Sequence, residues 1–595
     1  ISRSITPRSE WKNATGIKVD LAVKKTGQWW LQLSVTSDGE QFNKTLIPYS
    51  YTGMILQDRT APFKSFKSKS GKKLDPTKIT AITITGSLPE NTLYLAKLSL
   101  MIKSQLKHFV KFTTNVPDLN IFEPGQQVEM IFSVLGNLPP KAKSLRYEVC
   151  DYFDKLVNSG DIPVKHGEKR YTTKFTPEQS GYYDVKAYWL DGHGKRLVKT
   201  SCIKTFGSLE QGRGTFAVMP NTIKQNIARM RKYGESAFFG FHGNSSNLVD
   251  RMGMSWRLRG RRWKWDEPKV KPKMINGIAE WAAKIIANDQ PDPDWQNNFC
   301  NQAMNIAGNL PEWAKRSNLN PAPGLKDVNE YYRYLRDVVK VNKHQYPGMK
   351  HRVYDIFWEV NLNRPKVGIH KPTYYPEDII KQYQTAGKVI KSEDPNAILA
   401  GPCCSSPFKN FDWNIPLFEQ GLCKYIDAYN CHGYHTPPPE DDNVVQNLRR
   451  LQKMIKQYNN GKPLDIYCTE LGYRSQYGSR DKHKEHAQWH ARIATILKGE
   501  GIRVYYPFYS YDYRGADNSW GICYNLNPKL GWGPKHVSPK AAVPALAVCA
   551  NELEGTEPVS AQPWFGRDIW RYIFKEIESG KPVVVIWSVH NKHKL

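Results

Sequence analysis

The chain has 595 residues, carries 85 lysines and arginines against 56 acidic residues for a formal charge of +29, and contains 18 tryptophans and 32 tyrosines. That length excludes a single hydrophobic core and predicts three or four domains, and no stretch approaches the roughly 18 apolar residues of a membrane span. The positive charge favours a polyanionic partner. Its spread along the whole sequence argues against a nucleic-acid module with a concentrated patch, and leaves an acidic polysaccharide as the expected partner.

The ten cysteines show no metal spacing, so no metal and no cofactor is expected. Most lie in core-like runs as buried thiols, and Cys150 and Cys202 are close enough in one domain to raise the question of a pair, which their strand positions oppose. The chain begins at Ile1, as expected for a processed product, which is compatible with a removed signal peptide and an extracellular or periplasmic (secreted) location.

Residues 1–107 alternate apolar and polar through Ile17–Val23, Trp29–Val35 and Ile79–Ile84. A period of two means half-buried strands, hence a β-sandwich. Its pattern resembles the jelly-roll carbohydrate-binding modules, with Trp29 and Trp30 as candidates for a sugar platform or for the core. Residues 108–207 change register after Pro117, and the runs Val128–Val134, Leu145–Val149 and Gly181–Leu190 are spaced as in an immunoglobulin-like sandwich, to which a spacer role is assigned.

From 208 to 552 strands alternate with amphipathic helices, which predicts a (β/α)8 barrel of TIM type. Its strands fall at Phe238–Asn244, Ser255–Gly260, Gln302–Gly308, Tyr354–Asn361, Ala397–Pro402, Ile426–His432, Leu464–Tyr473 and Val504–Tyr509. Helices are expected over Val328–Leu335, from Pro376, where a missing donor costs nothing, and over Leu448–Tyr458. Residues 553–595 hold two β-runs, Trp570–Phe574 and Pro582–Ser588, expected to join a small C-terminal sandwich because two strands alone are marginal.

Two of the barrel runs, the fourth and the seventh, carry a carboxylate at the mouth of the core, Glu359 and Glu470. Active sites of such barrels gather at the carboxyl ends of the strands, so acids distant in sequence converge there. Cleavage of a glycosidic bond needs two flanking carboxylates, one to protonate the leaving oxygen and one to attack the anomeric carbon or activate water.

At this point the barrel resembles the clan A glycoside hydrolases, and is most similar to family 39 in Leu310-Pro311-Glu312-Trp313-Ala314, His432-Gly433-Tyr434 and Thr469-Glu470-Leu471-Gly472-Tyr473. The resemblance implies a retaining O-glycoside hydrolase with Glu359 as acid/base and Glu470 as ionised nucleophile. Glu359 is expected to stay protonated beside that like charge. It departs from the clan at Trp358, where most members carry asparagine. Either the family is divergent or Asn361 takes over the sugar's 2-hydroxyl.

The remaining substrate-binding set is His242 on the first strand, Arg257 and Arg259 after the second, Trp313 after the third, His432 and Tyr434 after the sixth, Arg474 after the seventh and Tyr509 on the eighth. Guanidinium forks match carboxylate or sulfate oxygens, and Arg257 and Arg259 share a face by alternation. The expected substrate is an anionic polysaccharide, a sulfated galactan of the carrageenan kind or else a uronate-containing or other exopolysaccharide. A non-catalytic anionic-glycan-binding protein is the competing reading.

Overall fold

The structure is a computed structural model. It describes residues 2–4, 6, 11, 14–23, 29–50, 54–87, 93–102, 108–197, 212–226, 228, 236–242, 246–257, 261–289, 304–305, 311–314, 327–361, 376–408, 411–477, 480–512, 519–524, 536–560 and 568–589. No helix among them is long and apolar enough to cross a membrane.

The first unit is two antiparallel sheets facing each other. One holds Ser2–Ser4, Trp29–Ser37, Glu40–Ser50, Lys67–Ser68 and Ile79–Ser87, and the other Ala14–Val23, Met54–Pro62 and Leu93–Ile102. The alternation read from the sequence sends Ile17 and Val19 of one sheet against Leu31, Leu33, Val35, Ile82 and Ile84 of the other, forming one core. Trp30 is half-buried. The side chain of Trp29 lies outside the described residues.

A second pair of sheets closes over Phe132, Val149, Val185 and the fully buried Trp189. Its larger sheet includes Arg213–Val218, paired antiparallel with Gly181–Leu190. The sandwich therefore extends past the boundary expected at residue 207, because that last strand follows a stretch whose composition belongs with neither domain. Cys150 is a free thiol, as are the other described cysteines, and Cys202 lies outside the described residues.

Beyond it the strands are parallel. They are β1 (Gly240–Phe241), β2 (Trp256–Arg257), β3 (Met304–Asn305), β4 (Val353–Asp355), β5 (Ile398–Ser405), β6 (Ala428–His432), β7 (Asp465–Leu471) and β8 (Val504–Pro507). Six of them form one curled sheet in the order β3-β4-β5-β6-β7-β8, and parallel bridges Phe239 to Tyr505 and His242 to Phe508 join β8 to β1, which pairs with β2. All eight thus run in consecutive order, with β2 and β3 at the two ends of the series.

Helices alternate with these strands: α1 (Ser246–Met252), α2 (Glu280–Asn288), α3 (Val328–Gln345), α4 (Pro376–Glu393), α5 (Ile415–Glu419), α6 (Val444–Tyr458), α7 (His483–Gly499) and α8 (Ala542–Leu553). On α4, Ile379, Tyr383, Ala386 and Ile390 recur every three or four residues, so they share one face and bury it against Tyr354 and Leu399. Full burial of Ile379 and of Ile390 contributes about 1.5–3 kcal/mol each.

The C-terminal part has three antiparallel strands instead of the two read from the sequence, Thr556–Ser560, Ile569–Glu576 and Pro582–Ser588. They form no separate sandwich among the described residues: Trp570, Tyr572, Phe574 and Trp587 join the core of α7 and α8, and the Tyr572 hydroxyl donates to Glu500 at 2.9 Å. The second sandwich is also fastened to the parallel region. Thr215 Oγ1 donates to Pro539 O at 2.5 Å and lies 2.6 Å from Ser538 Oγ, Val537 N donates to Pro117 O at 3.0 Å, and the Asn120 amide donates to Val537 O.

Candidate active site

The carboxyl ends of β4 to β8 converge on one cluster. Glu470 is the penultimate residue of β7 and is paired in register with His432, the last residue of β6. Glu359 is not on a strand. β4 stops at Asp355, and the chain reaches Glu359 in a left-handed conformation at φ +47°. Cys403 and Ser406, at and just beyond the end of β5, are left-handed too, at +56° and +54°. Each such backbone costs a non-glycine residue about 1–2 kcal/mol, and strain of this kind collects where surrounding structure holds functional groups in place.

A polar ladder below the cluster supplies that hold. The buried Asp355 carboxylate accepts from Phe357 N and the Tyr383 hydroxyl, both at 3.1 Å, and from the Asn430 amide, while Thr469 Oγ1 donates to Asn430 Oδ1 at 2.8 Å. Four elements, β4, α4, β6 and β7, are thereby locked together. Burial pushes the Asp355 carboxyl up to about 6 against those hydrogen bonds. Gly472 is required beside it, because a Cβ there would lie 2.1 Å from Phe508 O.

Within the cluster, single ligand atoms of Glu359, His432 and Glu470 all lie within 4.8 Å of one another. His432 Nδ1 is 3.0 Å from Glu359 Oε1 and 3.8 Å from Glu470 Oε2. The Tyr434 hydroxyl donates to Glu470 Oε1 at 2.7 Å, and His242 Nε2 lies 3.3 Å from Glu470 Oε2. Burial pulls the His432 imidazole down, but the charges of Glu470 and Glu359 and the Glu359 hydrogen bond override it and push it up to about 9. His432, lying between the two acids, is thus held toward its protonated form. Burial, reinforced by the His432 charge, drives His242 down to about 3, so this ring is neutral. Glu470 is raised above the ordinary glutamate range by burial, with Glu359 adding to the rise and His432 and Tyr434 opposing it.

The same three side chains are the described residues whose ligand atoms come close enough to hold a metal ion. An imidazole that keeps its proton is a donor, and a metal would have to displace that proton to bind. The arrangement is better suited to proton transfer and nucleophilic attack.

Of the residues expected at the site, His242, His432, Tyr434 and Tyr509 are brought together with the two glutamates, Tyr509 packing 5.5 Å from the His242 ring. Three others are occupied elsewhere. Arg257 is buried in an ion pair with Asp250 of α1, so the rim of arginines expected after β2 is a structural salt bridge here. Its neighbours behave likewise, Arg261 pairing with Asp266 at 3.3 Å and Arg262 stacking on Trp265, while Arg259 lies outside the described residues. Trp313 donates its indole N–H to Glu267 O at 3.1 Å and packs edge-on against Trp263. Asn361 spends its amide on the end of β5, donating to Ser405 O and accepting from Ser405 N, both at 2.7 Å, so it is committed to the backbone and not to a sugar hydroxyl.

Three residues beside the cluster are not among the substrate-binding residues expected from the sequence. Trp358, standing where the clan has asparagine, meets His432 edge-on at 4.3 Å and His242 at 5.6 Å, forming an apolar wall for both rings. Cys403 Sγ lies 3.3 Å from His432 Nε2, and Trp520 meets Tyr434 at 5.4 Å. The adjacent pair Cys403-Cys404 at the end of a strand was the only sequence signal for the first.

No family model and no curated protein matches the chain. Among solved structures, it is similar to a family 39 glycoside hydrolase from the gut symbiont Bacteroides cellulosilyticus WH2, with a TM-score of 0.54 and 16% identity over 81% of this chain and 90% of that one. This is a likeness of fold. A glucosidase from Croceicoccus marinus aligns with a TM-score of 0.36 and 13% identity over 57% of this chain and 74% of its own. Bacteroides uniformis beta-glucuronidase 2, as a calcium binding mutant, gives 0.33 and 13% over 99% and 70%. The last two scores fall short of a shared fold.

Proposed function

We propose that the protein is a retaining glycoside hydrolase whose parallel strands close as a (β/α)8 barrel, with Glu470 as nucleophile and Glu359 as acid/base, acting on an anionic polysaccharide. The observation that carries this reading is the approach of the two carboxylates to within 4.8 Å at the carboxyl ends of the strands. Carboxyl groups about 5–5.5 Å apart leave no room for a water between base and sugar, and fit attack by one of them on the anomeric carbon. In the first step Glu470 forms the bond to that carbon as Glu359 passes its proton to the departing oxygen. In the second, Glu359 takes a proton from water, whose oxygen attacks the anomeric carbon from the face the leaving group vacated, opposite Glu470, and displaces that carboxylate. The product keeps its anomeric configuration. Proton NMR of the first-formed reducing sugar is expected to show retention, and the inverted anomer as first product would remove Glu470 from the nucleophile's role.

The cluster also predicts a pH profile. Because burial raises Glu470, the acid limb of kcat/KM is expected above the ordinary glutamate value of 4.5. The Tyr434 hydrogen bond favours the ionised form, so Tyr434→Phe raises the Glu470 pKa further and moves that limb to still higher pH. A limb that stays in place in Tyr434→Phe would separate Tyr434 from the group that titrates.

The surplus of basic residues and the aromatic lining support an acidic glycan, either a sulfated galactan of the carrageenan kind or a uronate polymer. The first sandwich then serves as a polysaccharide-binding module. Secretion belongs to the same proposal, since a polymer is met outside the cell. A binding protein without catalysis would release no reducing ends, and Glu359→Gln and Glu470→Gln would leave it unchanged.

A further inference from the structure

Two loops at the rim of the cluster are tied together by a charge with no access to solvent. Lys540 is fully buried, and its ammonium donates to Asp512 Oδ1 at 2.6 Å, Gly521 O at 2.7 Å and Ser475 Oγ at 2.8 Å. Ser475 N donates to Ser519 O, and Gly521 N to Asp512 Oδ1, each at 2.9 Å. The segment after β7 and the segment after β8 are thus one frame.

That frame carries Arg474 and Trp520. The guanidinium carbon lies 5.0 Å from the indole ring centre, Trp520 packs edge-on against Tyr434, and Tyr434 holds Glu470. Arg474 is therefore two side chains away from the carboxylate that attacks. Its position over the indole stabilises the cation, and the guanidinium N–H groups form a fork that matches two oxygens of one anion.

Charge balance separates Arg474 from the other well-set arginines. Arg213, Arg257, Arg333 and Arg352 each pair with a carboxylate. Lys540 spends its charge on Asp512. Half-buried Arg474 has no carboxylate partner among the described residues. A half-buried guanidinium with no carboxylate partner among the described residues is suited to receive one from a ligand.

We propose that Arg474, stacked on Trp520, is the docking point for an oxyanion substituent, carboxylate or sulfate, on a sugar within one unit of the bond that Glu470 attacks. Its location relative to the scissile bond rests on the hydrolase reading, whereas its binding chemistry does not. The test is calorimetric binding of tetrasaccharides to the full chain carrying Glu470→Gln, which prevents turnover. The probes are a sulfated κ-carrageenan tetrasaccharide, a carboxylated polyglucuronate tetrasaccharide and a neutral agarose tetrasaccharide.

The Glu470→Gln protein is expected to prefer one acidic probe over the neutral one. Adding Arg474→Met is expected to weaken that probe by at least about tenfold, as loss of a bidentate charged contact should, and to leave the neutral probe unchanged. Arg474→Lys, which keeps the charge without the fork, is expected to recover part of the loss. The acidic probe that suffers more identifies carboxylate or sulfate. Equal affinity of the parent for all three probes, or an Arg474→Met loss shared by the neutral sugar, or no loss at all, overturns the proposal. Failure of the hydrolase reading would show separately, as intact binding with no hydrolysis when Glu470 is present.

Discussion

Glu470→Gln is expected to lower kcat on an acidic polysaccharide by about four orders of magnitude or more, the scale of removing one member of a catalytic unit. The amide keeps the shape and can still accept from Tyr434, but it cannot form the glycosyl bond. Folding should survive, because the substitution removes a charge that burial disfavours. A second readout follows from His432. Burial opposes its proton, and the Glu470 charge is the largest effect supporting it, so in the variant the imidazole should titrate well below about 9 by NMR. Glu359→Gln should be equally damaging on the polymer but mild on an aryl glycoside whose leaving group needs no proton, with added azide restoring turnover. Hydrolysis within tenfold of the parent in Glu470→Gln would end the mechanism.

Lys540→Met is expected to cost about 3–5 kcal/mol, because it leaves the Asp512 carboxylate in the interior without its counter-ion. Neither group can be rescued by water: their side chains are 0% and 1% exposed. Calorimetry should show the parallel region melting on the order of 10 °C lower. Adding Asp512→Leu should return most of that loss, since replacing both members of a buried pair is far less damaging than removing one. A melting point unchanged by Lys540→Met would mean that the ammonium is not holding the two loops.

The parallel architecture was legible in the sequence because it is written in periodicity. All eight expected runs overlap the observed strands and six contain them whole, and alternation with amphipathic segments placed the acids in the fourth and seventh units. Glu470 followed directly, since β7 is apolar up to its end. Glu359 does follow the fourth strand, but in a local structure that the pattern did not show. The run Ile356-Phe357-Trp358 reads as more strand, and nothing in a hydrophobic pattern marks a left-handed residue or a ladder of hydrogen bonds on Asp355.

Partners distant in sequence explain the other departures. Alternation put Arg257 on the right face, but whether its fork meets a ligand or Asp250 depends on how α1 packs. Asn361 looked available until β5 supplied Ser405 to bind both ends of its amide. Arg474 and Trp520 were brought into register by Lys540, whose own sequence context, Ser538-Pro539-Lys540-Ala541-Ala542, advertises only a helix start. The strand Thr556–Ser560 escaped notice because it is short and contains Pro558, a residue confined to edges.

The fastening of Thr215 to Ser538 and Pro539 has a consequence for how this polypeptide can be subdivided. The second sandwich grips the residues immediately before Lys540, and so acts as a buttress for the frame behind Arg474. Excising it would bare the buried hydroxyl and backbone groups it now satisfies. The shortest fragment that keeps these contacts therefore begins upstream of that sandwich, near residue 108.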